Sequence, residues 1–295
     1  MNGRTILPGT FDGVHRGHLF LLDKARQIKN GTLISVLTFH PHPLIFFGLR
    51  REDFLLTTPE EKEEILKSAG VEEIITLKFD LELSEMTAER FFREILLEEL
   101  GAKKIVVGED FRFGKGREGD VRRLQELGKL YDVEVFVCPP FKIKGEEVKS
   151  ERIRNLLKGG EVKRANEMLG RFYSVRGIVA RGKGLGRKIG YPTANLEVVK
   201  EKLVPAKGIY AVRARLRESV HDAICYIGES PTVSEGGKLS LEVHIFGMEK
   251  EIVGEELEVF FLERIREERK FPSLEELVKQ IGEDIKEAQQ ILAHY

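Results

Sequence analysis

The sequence predicts an α/β domain with a Rossmann-like, doubly wound parallel sheet, followed by a small antiparallel β-barrel domain with a C-terminal helix. Three observations support this fold class. Strand and helix patterns alternate strictly over the first ~140 residues, which is typical of a parallel sheet covered by helices on both faces. A glycine-rich turn follows the first apolar run and opens into a helical pattern. Beyond residue 172 the hydrophobic period switches to two, which indicates antiparallel strands joined by turns.

In the first half, apolar runs mark the strands and capping residues mark the helices. Residues 33–39 are apolar almost throughout, as a parallel strand buried on both faces should be. Residues 58–61 form a capping box with proline at the first helical position, and Gly70 is placed to end that helix. The other predicted strands are 6–8, 73–79, 104–107 and 133–138, and the other predicted helices run from the glycine-rich turn to Gly31, over 87–100 and from about Asp120.

In the second half, two short helical patterns broken by Gly159 and Gly160 precede the strands. The predicted strands are 172–180, 208–216, 223–227, 239–246 and 257–262. A capping box at residues 273–276 begins a final helix whose apolar positions recur at helical spacing. We therefore predict a first domain over residues 1–158, a linker over 159–171 and a second domain over 172–295.

Composition narrows the class of protein. The chain has 295 residues and a net charge of −1, with 48 Lys and Arg against 49 Asp and Glu, so nothing in the balance calls for nucleic acid or an anionic membrane as a partner. No apolar run approaches the ~18 residues of a membrane span, and the start lacks the pattern of a secretory signal. Cys138 and Cys225 lie far apart in apolar strand-like runs, which favours reduced, buried thiols. We expect a cytoplasmic protein that is monomeric or weakly self-associating.

Residues 9–18 read as a strand-to-helix turn that handles phosphate. Glycines at 9, 13 and 17 let the backbone bend and approach a ligand, and the N-terminus of the following helix favours an anion. His15 and His18 add donors at the same place, where they could meet charge that develops on a phosphorus atom. Two alternatives stay open at this point: a metal site with Asp12 as a further ligand, and a tight turn with no ligand.

Three further loops follow predicted strands and are candidates for the same site, because ligands bind beyond the carboxyl ends of parallel strands. Residues 38–43 carry His42 between two prolines. Residues 108–120 form a basic, glycine-rich loop with two Phe side chains, which either stack on an aromatic ligand or pack on a neighbouring hydrophobic patch. In residues 148–154, Ser150 is placed to cap a helix, and Arg152 and Arg154 are placed to reach phosphates.

The run 9–18 resembles the signature of the nucleotidyltransferase superfamily, whose H-x-G-H follows the first strand of a Rossmann-like sheet. With Phe-Asp-Gly in front, it is similar to the bacterial FAD synthetases, and the loops at 39–43 and 108–120 match that module in kind and order. The loop at 148–154 departs from the usual Ile-Ser-Ser-Thr-x-Ile-Arg, because Lys149 and Glu151 replace a Ser and a Thr. We expect Glu151 to repel an anion and Lys149 to offset that repulsion.

This resemblance implies roles for residues of the first domain. His15 and His18 would hold the oxygens of the reacting phosphorus, and Arg154 would hold the departing pyrophosphate. The residues implied to bind nucleotide or flavin are Gly9, Phe11, Asp12, Gly13, Gly17, His42, Asp110, Phe113, Ser150 and Arg152.

The second domain carries its own candidate site. Residues 181–190 form a flexible, cationic, glycine-rich loop suited to a triphosphate. The turn at 191–195 follows directly and presents the Thr193 hydroxyl and the Asn195 carboxamide, which are hard oxygen ligands for Mg²⁺. Glu242 is a charged residue in an otherwise apolar strand pattern, so it lies near this loop if the barrel closes, or else it simply faces water.

Taken together, these features resemble riboflavin kinase over nearly the whole second half. The matching runs are 190–195, 227–232, 242–244 and 266–271, and one departure is 246–248, where an Asp-Phe pair is common. The resemblance implies that Glu242 is the catalytic base and that Thr193 and Asn195 hold Mg²⁺. The residues implied to bind nucleotide or flavin are Gly182, Gly186, Arg187, Gly190, Pro192, Arg266 and Phe271.

The whole chain thus resembles the bifunctional riboflavin kinase/FMN adenylyltransferase family. The resemblance implies that the second domain phosphorylates riboflavin to FMN with ATP and Mg²⁺, and that the first domain adenylylates FMN to FAD with a second ATP. One alternative is a different nucleotidyltransferase, which should lack the second domain. Another is a flavin-binding or regulatory protein that kept the scaffold and lost chemistry, with Lys149 and Glu151 as the traces of that loss.

Overall fold

The computed structural model describes residues 3–182, 184–229 and 239–295. The chain divides into two compact units, Met1–Ser150 and Glu151–Tyr295. Two parts of the predicted motifs, Lys183 and residues 230–232, lie outside the described residues. No helix in the described ranges combines the length and the apolar character that crossing a membrane requires.

The first unit is built on a parallel sheet. Its strands are β1 (Arg4–Pro8), β2 (Leu33–His40), β3 (Glu73–Lys78), β4 (Ala102–Gly108) and β5 (Glu134–Cys138), in the order β3-β2-β1-β4-β5. All adjacent pairs are parallel. The strand order reverses between β1 and β4, so the loops that follow these two strands border the crevice where such sheets bind ligands.

Helices cover both faces of this sheet, as the strict strand and helix alternation predicts. They are α1 (Arg16–Ile28), α2 (Pro43–Phe46), α3 (Pro59–Ser68), α4 (Leu81–Ser84), α5 (Ala88–Arg90) and α6 (Val121–Leu130). Thr58 and Glu61 form the predicted capping box at the start of α3. The helix predicted over 87–100 differs from expectation, because α5 continues as a π-helix over Phe91–Glu99. A 3₁₀ turn at Lys115–Arg117 and a short hairpin of β6 (Lys142–Ile143) and β7 (Glu146–Glu147) complete the unit.

The core of the first unit lies on both faces of the sheet. Ile6 and Ile105 belong to one buried cluster, and their neighbours Leu7 and Val106 belong to the other. Successive side chains of a strand point to opposite faces, so a strand that is buried on both sides must be apolar throughout. This explains the continuous apolar runs in the sequence.

The second unit contains a closed antiparallel barrel. Its described strands are β8 (Tyr173–Ala180), β9 (Ala194–Glu197), β10 (Gly208–Leu216), β11 (Ser219–Glu229), β12 (Leu239–Ile245) and β13 (Glu256–Arg266), in the order β10-β11-β12-β9-β8-β13, with β13 pairing back to β10. Five of these strands are predicted from period two. The four-residue strand β9 is not, because it directly follows the proline-containing turn.

Helices flank the barrel within the second unit. Helix α7 (Ser150–Lys158) begins at the last residue of the first unit, and α8 (Val162–Leu169) follows the break at Gly159 and Gly160. A short helix, α9 (Leu185–Lys188), lies within the loop predicted to be flexible. The final helix α10 (Leu274–Leu292) begins at Ser273, whose side chain accepts from the amide of Glu276, and its Ala288 and Leu292 pack against the barrel strands.

Both cysteines are free and buried, as predicted from their apolar surroundings. Burial raises the pKa of the Cys138 thiol and of the Cys225 thiol. The two side chains therefore contribute to packing as small apolar groups.

Candidate functional sites

The turn after β1 is backbone-strained. Phe11, Gly13 and Val14 adopt positive φ values of 49°, 82° and 36°. Only glycine adopts such values at little cost, so Phe11 and Val14 must be held in place by their surroundings. Gly9 begins the turn by donating its amide to the Leu37 carbonyl at 2.9 Å. A cluster of strained residues in front of a helix N-terminus is typical of a functional turn.

Asp12 supplies much of the support for this turn. Its side chain is buried, and Oδ1 accepts from the backbone amides of Leu56 at 3.0 Å and Thr57 at 3.1 Å. The Thr57 hydroxyl in turn accepts from the amide of Gly13 at 3.0 Å. The Ser150 hydroxyl donates to the Asp12 carbonyl at 2.9 Å. Asp12 and Ser150, both predicted to bind nucleotide or flavin, therefore fasten the turn to the rest of the first unit.

The two histidines form a reciprocal cap at the start of α1. His15 Nδ1 accepts from the amide of His18, and His18 Nδ1 accepts from the amide of His15, both at 3.3 Å. The rings stack with centroids 3.7 Å apart. A nitrogen that accepts a hydrogen bond carries no proton, so each neutral ring has its proton on Nε2. The cap thus orients two Nε2–H donors.

Gly17 is required by the same arrangement. A Cβ at this position would lie 3.1 Å from His15 Nδ1 and 3.1 Å from the carbonyl oxygen of Val148. A larger residue would therefore force the His15 ring or the Val148 carbonyl to shift by a few tenths of an ångström. The glycines of the motif therefore serve the histidines as well as the backbone of the turn.

Sequence reasoning missed Lys62, which lies on α3 behind the turn. Its ammonium donates to the Thr38 hydroxyl at 2.9 Å and to the Thr10 carbonyl at 3.2 Å, and it ties together the carboxyl ends of β1 and β2. Burial lowers the pKa of the Lys62 ammonium, against an opposing effect of the Asp12 carboxylate. Nothing in the sequence distinguishes this lysine from the exposed Lys67 on the same helix.

Two further residues predicted to bind nucleotide or flavin, His42 and Phe113, make contacts within the protein. His42 caps α2 by accepting from the amide of Leu44 at 3.1 Å. Phe113 is only 6 % exposed, belongs to the core and stacks on Phe111 with centroids 5.5 Å apart. For Phe113 this supports packing on a hydrophobic patch, the second of the two alternatives for the loop.

The two residues that depart from the FAD synthetase pattern both form ion pairs. Lys149 Nζ lies 3.4 Å from Asp110 and 2.8 Å from Glu147. Glu151 pairs with Arg154 at 3.1 Å within α7, where Arg154 is buried and Glu151 is largely exposed. The partner of Glu151 is therefore Arg154. Whether Lys149 offsets the repulsion of an anion by Glu151 stays a prediction.

Arg152 and Arg154 belong to the second unit. Their position relative to the histidine cap therefore stays a prediction. In the part of the chain that the structure describes, no three His, Cys, Asp or Glu side chains form a cluster that could hold a metal ion. The metal alternative for the histidine turn has no such cluster among these residues.

In the barrel, Glu242 meets the proline-containing turn. The Thr193 hydroxyl donates to Glu242 Oε2 at 3.0 Å, and the Ser240 hydroxyl donates to Oε1 at 3.3 Å. Asn195 on β9 is the register partner of Glu242 on β12. Barrel closure thus brings the carboxylate, the hydroxyl and the carboxamide to one place, although 49 residues separate Thr193 from Glu242.

The glycines of the cationic loop allow it to lie on this turn. A Cβ at Gly182 would clash with the Asn195 carboxamide, and a Cβ at Gly186 would clash with the carbonyl of Tyr191. The amide of Tyr191 donates to the Gly186 carbonyl at 2.8 Å. Gly190 ends the short helix with a φ of 86°. The loop is therefore packed on the turn in a defined way.

A cavity of about 430 Å³ opens beside the turn. The loop contributes Gly182 and Arg187, the turn contributes residues 192–195, and residues 248–253 close the opposite side. This volume lies within the ~300–1,000 Å³ range of small-molecule sites. The cavity places a candidate ligand against the hydroxyl of Thr193 and the carboxamide of Asn195.

Arg266 and Phe271 form a separate cluster near α10. Arg266 donates to both carboxylate oxygens of the buried Asp284, at 2.8 Å from Nε and 2.7 Å from Nη2, and its guanidinium lies 5.6 Å from the Phe271 ring centre. Sequence reasoning missed Asp284 and Ser240. The only available signal for Asp284 is a charged residue on the apolar side of an amphipathic helix.

Comparisons with known proteins agree with the division of the chain into two units. The FAD synthetase family model matches residues 2–152, and the riboflavin kinase family model matches residues 169–292. A bifunctional riboflavin kinase/FMN adenylyltransferase from Escherichia coli K12 is 35% identical over 285 residues, covering 96% of this chain and 90% of the relative. The corresponding enzyme from Bacillus subtilis is 34% identical over 287 residues, covering 95% of this chain and 90% of the relative.

A solved structure is similar over the whole chain. It is described as a macrolide-efflux protein from Streptococcus pneumoniae, and it superposes with a TM-score of 0.89 at 33% identity, covering 98% of this chain and 95% of that chain. A nucleotidyltransferase without the second domain is excluded, because the riboflavin kinase model covers most of the second unit. The chain belongs to the bifunctional riboflavin kinase/FMN adenylyltransferase family and is an enzyme with an N-terminal FAD synthetase domain and a C-terminal riboflavin kinase domain.

Proposed function

We propose that this chain converts riboflavin to FAD in two successive ATP-dependent steps, at two separate sites. The observation that carries the proposal is that each unit has its own constrained cluster of polar side chains. The first unit has the reciprocal histidine cap, and the second has Glu242 hydrogen-bonded to Thr193 at 3.0 Å.

In the kinase step, Glu242 accepts the proton of the terminal ribityl hydroxyl of riboflavin. The freed oxygen attacks the γ-phosphorus of ATP, the bond to the β-phosphate oxygen breaks, and FMN and ADP form. Support comes from the position of Glu242 beside the turn and from its two hydroxyl donors, which hold the carboxylate in one orientation. A positioned base of this kind typically contributes ~10²–10⁴ in rate.

The donor set of the turn fits Mg²⁺. The Thr193 hydroxyl oxygen and the Asn195 carboxamide oxygen are hard ligands on neighbouring positions, and they would hold the ion beside the cavity. When bound, the ion neutralises charge on the triphosphate. The loop contributes Gly182 and Arg187 to the cavity wall, and the close packing of Gly182 and Gly186 on the turn holds the loop beside it. Arg266 and Phe271 would contact the flavin or the nucleotide.

In the adenylyltransferase step, a phosphate oxygen of FMN attacks the α-phosphorus of a second ATP, and pyrophosphate leaves. A phosphate group is already ionised at neutral pH, so positioning and charge stabilisation suffice without a strong base. The Nε2–H donors of His15 and His18 would contact the oxygens on the reacting phosphorus. Arg154 would hold the pyrophosphate, with Arg152, His42 and Asp110 as further contacts of the substrates.

The proposal also covers partners and cellular place. We expect the chain to act on small molecules in the cytoplasm, without nucleic acid, as a monomer or a weakly associating species. The nearly balanced net charge of −1 and the two buried thiols support this view.

One experiment tests the whole scheme. The purified chain is incubated with riboflavin, Mg²⁺ and ATP, and the flavins are separated by chromatography over time. FMN should appear first and FAD second. Accumulation of FMN alone would mean that adenylyl transfer is weakened, as the Asp110–Lys149 and Arg154–Glu151 ion pairs would allow. If riboflavin stays unchanged, the protein is a flavin-binding scaffold and the proposal fails.

A further inference from the structure

His244 lies two residues after Glu242 on β12 and makes a contact that the kinase mechanism does not use. Its Nδ1 is 2.8 Å from the carbonyl oxygen of Pro192. A carbonyl oxygen only accepts hydrogen bonds, so the bond exists only when Nδ1 carries a proton. This contact therefore fixes the tautomer of the neutral ring with its proton on Nδ1, the opposite of the tautomer at the histidine cap.

The ring is also held by its neighbours. The Tyr191 ring meets it edge-on with centroids 5.7 Å apart, and Phe246 contacts it at 5.9 Å. Aromatic pairs in these geometries are favourable and limit rotation of the ring. The half-buried His244 thus has one orientation in which Nδ1 faces the turn.

The carbonyl that His244 holds belongs to the peptide that leads into Thr193. The Pro192 carbonyl and the Thr193 amide share one rigid peptide plane, and the proline ring fixes φ on the preceding side. A hydrogen bond to that oxygen therefore orients the backbone of Thr193. Residues 242 and 244 lie on one face of β12, because both contact this turn.

We infer that His244 is a positioning residue for the riboflavin kinase site. It donates a hydrogen bond to the Pro192 carbonyl and so holds the Thr193 and Asn195 oxygens where Mg²⁺ binds. The inference rests on the proposed function of Thr193 and Asn195. Strand β12 then carries both the base Glu242, which is hydrogen-bonded to the Thr193 side chain, and His244, which is hydrogen-bonded to the backbone one residue earlier. The base and the metal ligands then move as one rigid group.

Two substitutions distinguish a role of the hydrogen bond from His244 to Pro192 from a role of His244 in packing alone. In His244→Asn the amide nitrogen can occupy nearly the place of Nδ1, whereas in His244→Gln it lies nearer the place of Nε2. We expect His244→Gln to raise the Mg²⁺ concentration for half-maximal riboflavin phosphorylation about tenfold, as loss of a partner that orients a metal ligand typically does. His244→Asn should stay within about twofold of the unsubstituted enzyme by the same reasoning.

Adenylylation of added FMN should be unchanged in both variants and reports that the first unit is folded, and an unchanged melting temperature reports that the barrel is folded. His221→Gln on β11 is the matched control and should leave the Mg²⁺ dependence unchanged. Equal Mg²⁺ dependence in His244→Asn and His244→Gln, whether raised or not, would overturn the inference.

Two readouts do not depend on turnover. Binding of Mn²⁺ to the enzyme with ADP, followed by electron paramagnetic resonance, should weaken in His244→Gln and persist in His244→Asn. Nitrogen-15 NMR of the imidazoles, with His244 assigned from its variants, should show the tautomer protonated on Nδ1. The tautomer protonated on Nε2 could not donate to the Pro192 carbonyl, and its detection would overturn the inference even in an enzyme that phosphorylates riboflavin normally. Absence of kinase activity in the unsubstituted chain would instead refute the proposed function and leave the NMR result to be judged separately.

Discussion

The two candidate sites differ in the polar groups that they would offer to the ATP triphosphate under the proposed function. The first unit offers imidazole donors that are held by the backbone of a strained turn, and the Asp12 carboxylate in that turn accepts hydrogen bonds from backbone amides. The second unit offers a carboxylate that two hydroxyls hold against a turn with metal-ligand oxygens. The proposed nucleophiles explain the difference. The phosphate of FMN is already ionised, whereas the hydroxyl of riboflavin must lose a proton.

The largest expected effect comes from removing the base. Glu242→Gln keeps the size of the side chain and an acceptor for Thr193, but it cannot take a proton at neutral pH. Riboflavin phosphorylation should fall by about 10³-fold, within the range of general bases. Adenylylation of added FMN, measured on the same preparation, should persist. An unchanged kinase rate would remove Glu242 from the mechanism and erase the contrast between the sites.

Removal of one imidazole donor should have the next largest effect. His18→Ala should lower FAD formation from FMN by about 10²–10³-fold, while FMN formation from riboflavin persists. His18→Asn is the sharper variant, because its side chain can still cap the amide of His15 but has no group at Nε2. It should lose adenylyl transfer and keep the melting temperature. Equal loss of both activities in either variant would refute the division of labour.

A smaller effect should follow from releasing Arg154. In Glu151→Gln the exposed carboxylate no longer competes with pyrophosphate for the guanidinium. The KM for ATP in adenylylation should fall by about threefold, as expected for a partly exposed ion pair, and its dependence on salt should strengthen, because ATP binding no longer replaces one ion pair by another. Glu161→Gln breaks a matched pair with Arg164 on α8 and should not change the KM. A raised KM in Glu151→Gln would mean that Glu151 holds Arg154 in its active position.

Away from both sites, an ion pair should contribute to the stability of the first unit. Arg4 on β1 donates to both carboxylate oxygens of Glu73 on β3, and Ser35 on β2 donates at 2.5 Å. The hydrogen bond from Arg4 is the main cause that holds the pKa of Glu73 below its usual value, with Ser35 as a lesser one. A depressed folded-state pKa stabilises the protein above the unfolded pKa of about 4.3 and stops doing so as the pH falls through the folded pKa.

Glu73→Gln should therefore lower the free energy of unfolding by about 1 kcal/mol at pH 7. The difference should shrink as the pH falls below the unfolded pKa of about 4.3 and vanish below the lowered folded-state pKa, where both states are protonated. Calorimetric melting of the two proteins across this pH range measures it, with the exposed Glu99→Gln as the control for loss of a charge. A difference that persists in acid would show that the stabilisation does not depend on the charge of Glu73.

Sequence patterns predict local features well here. The apolar runs of β1 to β5, the capping box at Thr58 and the free, buried thiols were all predicted correctly, because each depends on residues close together in sequence or on one burial pattern. Strand β9 was missed because four residues after a proline turn carry too little periodicity. The π-helix was missed because no residue type marks it.

The sequence by itself determined that the chain has two modules, a glycine-rich turn with two histidines in the first half, and a turn with a hydroxyl and a carboxamide in the second half. Only the tertiary structure decided which groups meet. Lys62 donates hydrogen bonds to Thr10 and Thr38 from another element. Thr193 is hydrogen-bonded to Glu242, and His244 is hydrogen-bonded to Pro192. These pairs depend on parallel packing in one unit and barrel closure in the other, which bring together residues that no local pattern relates.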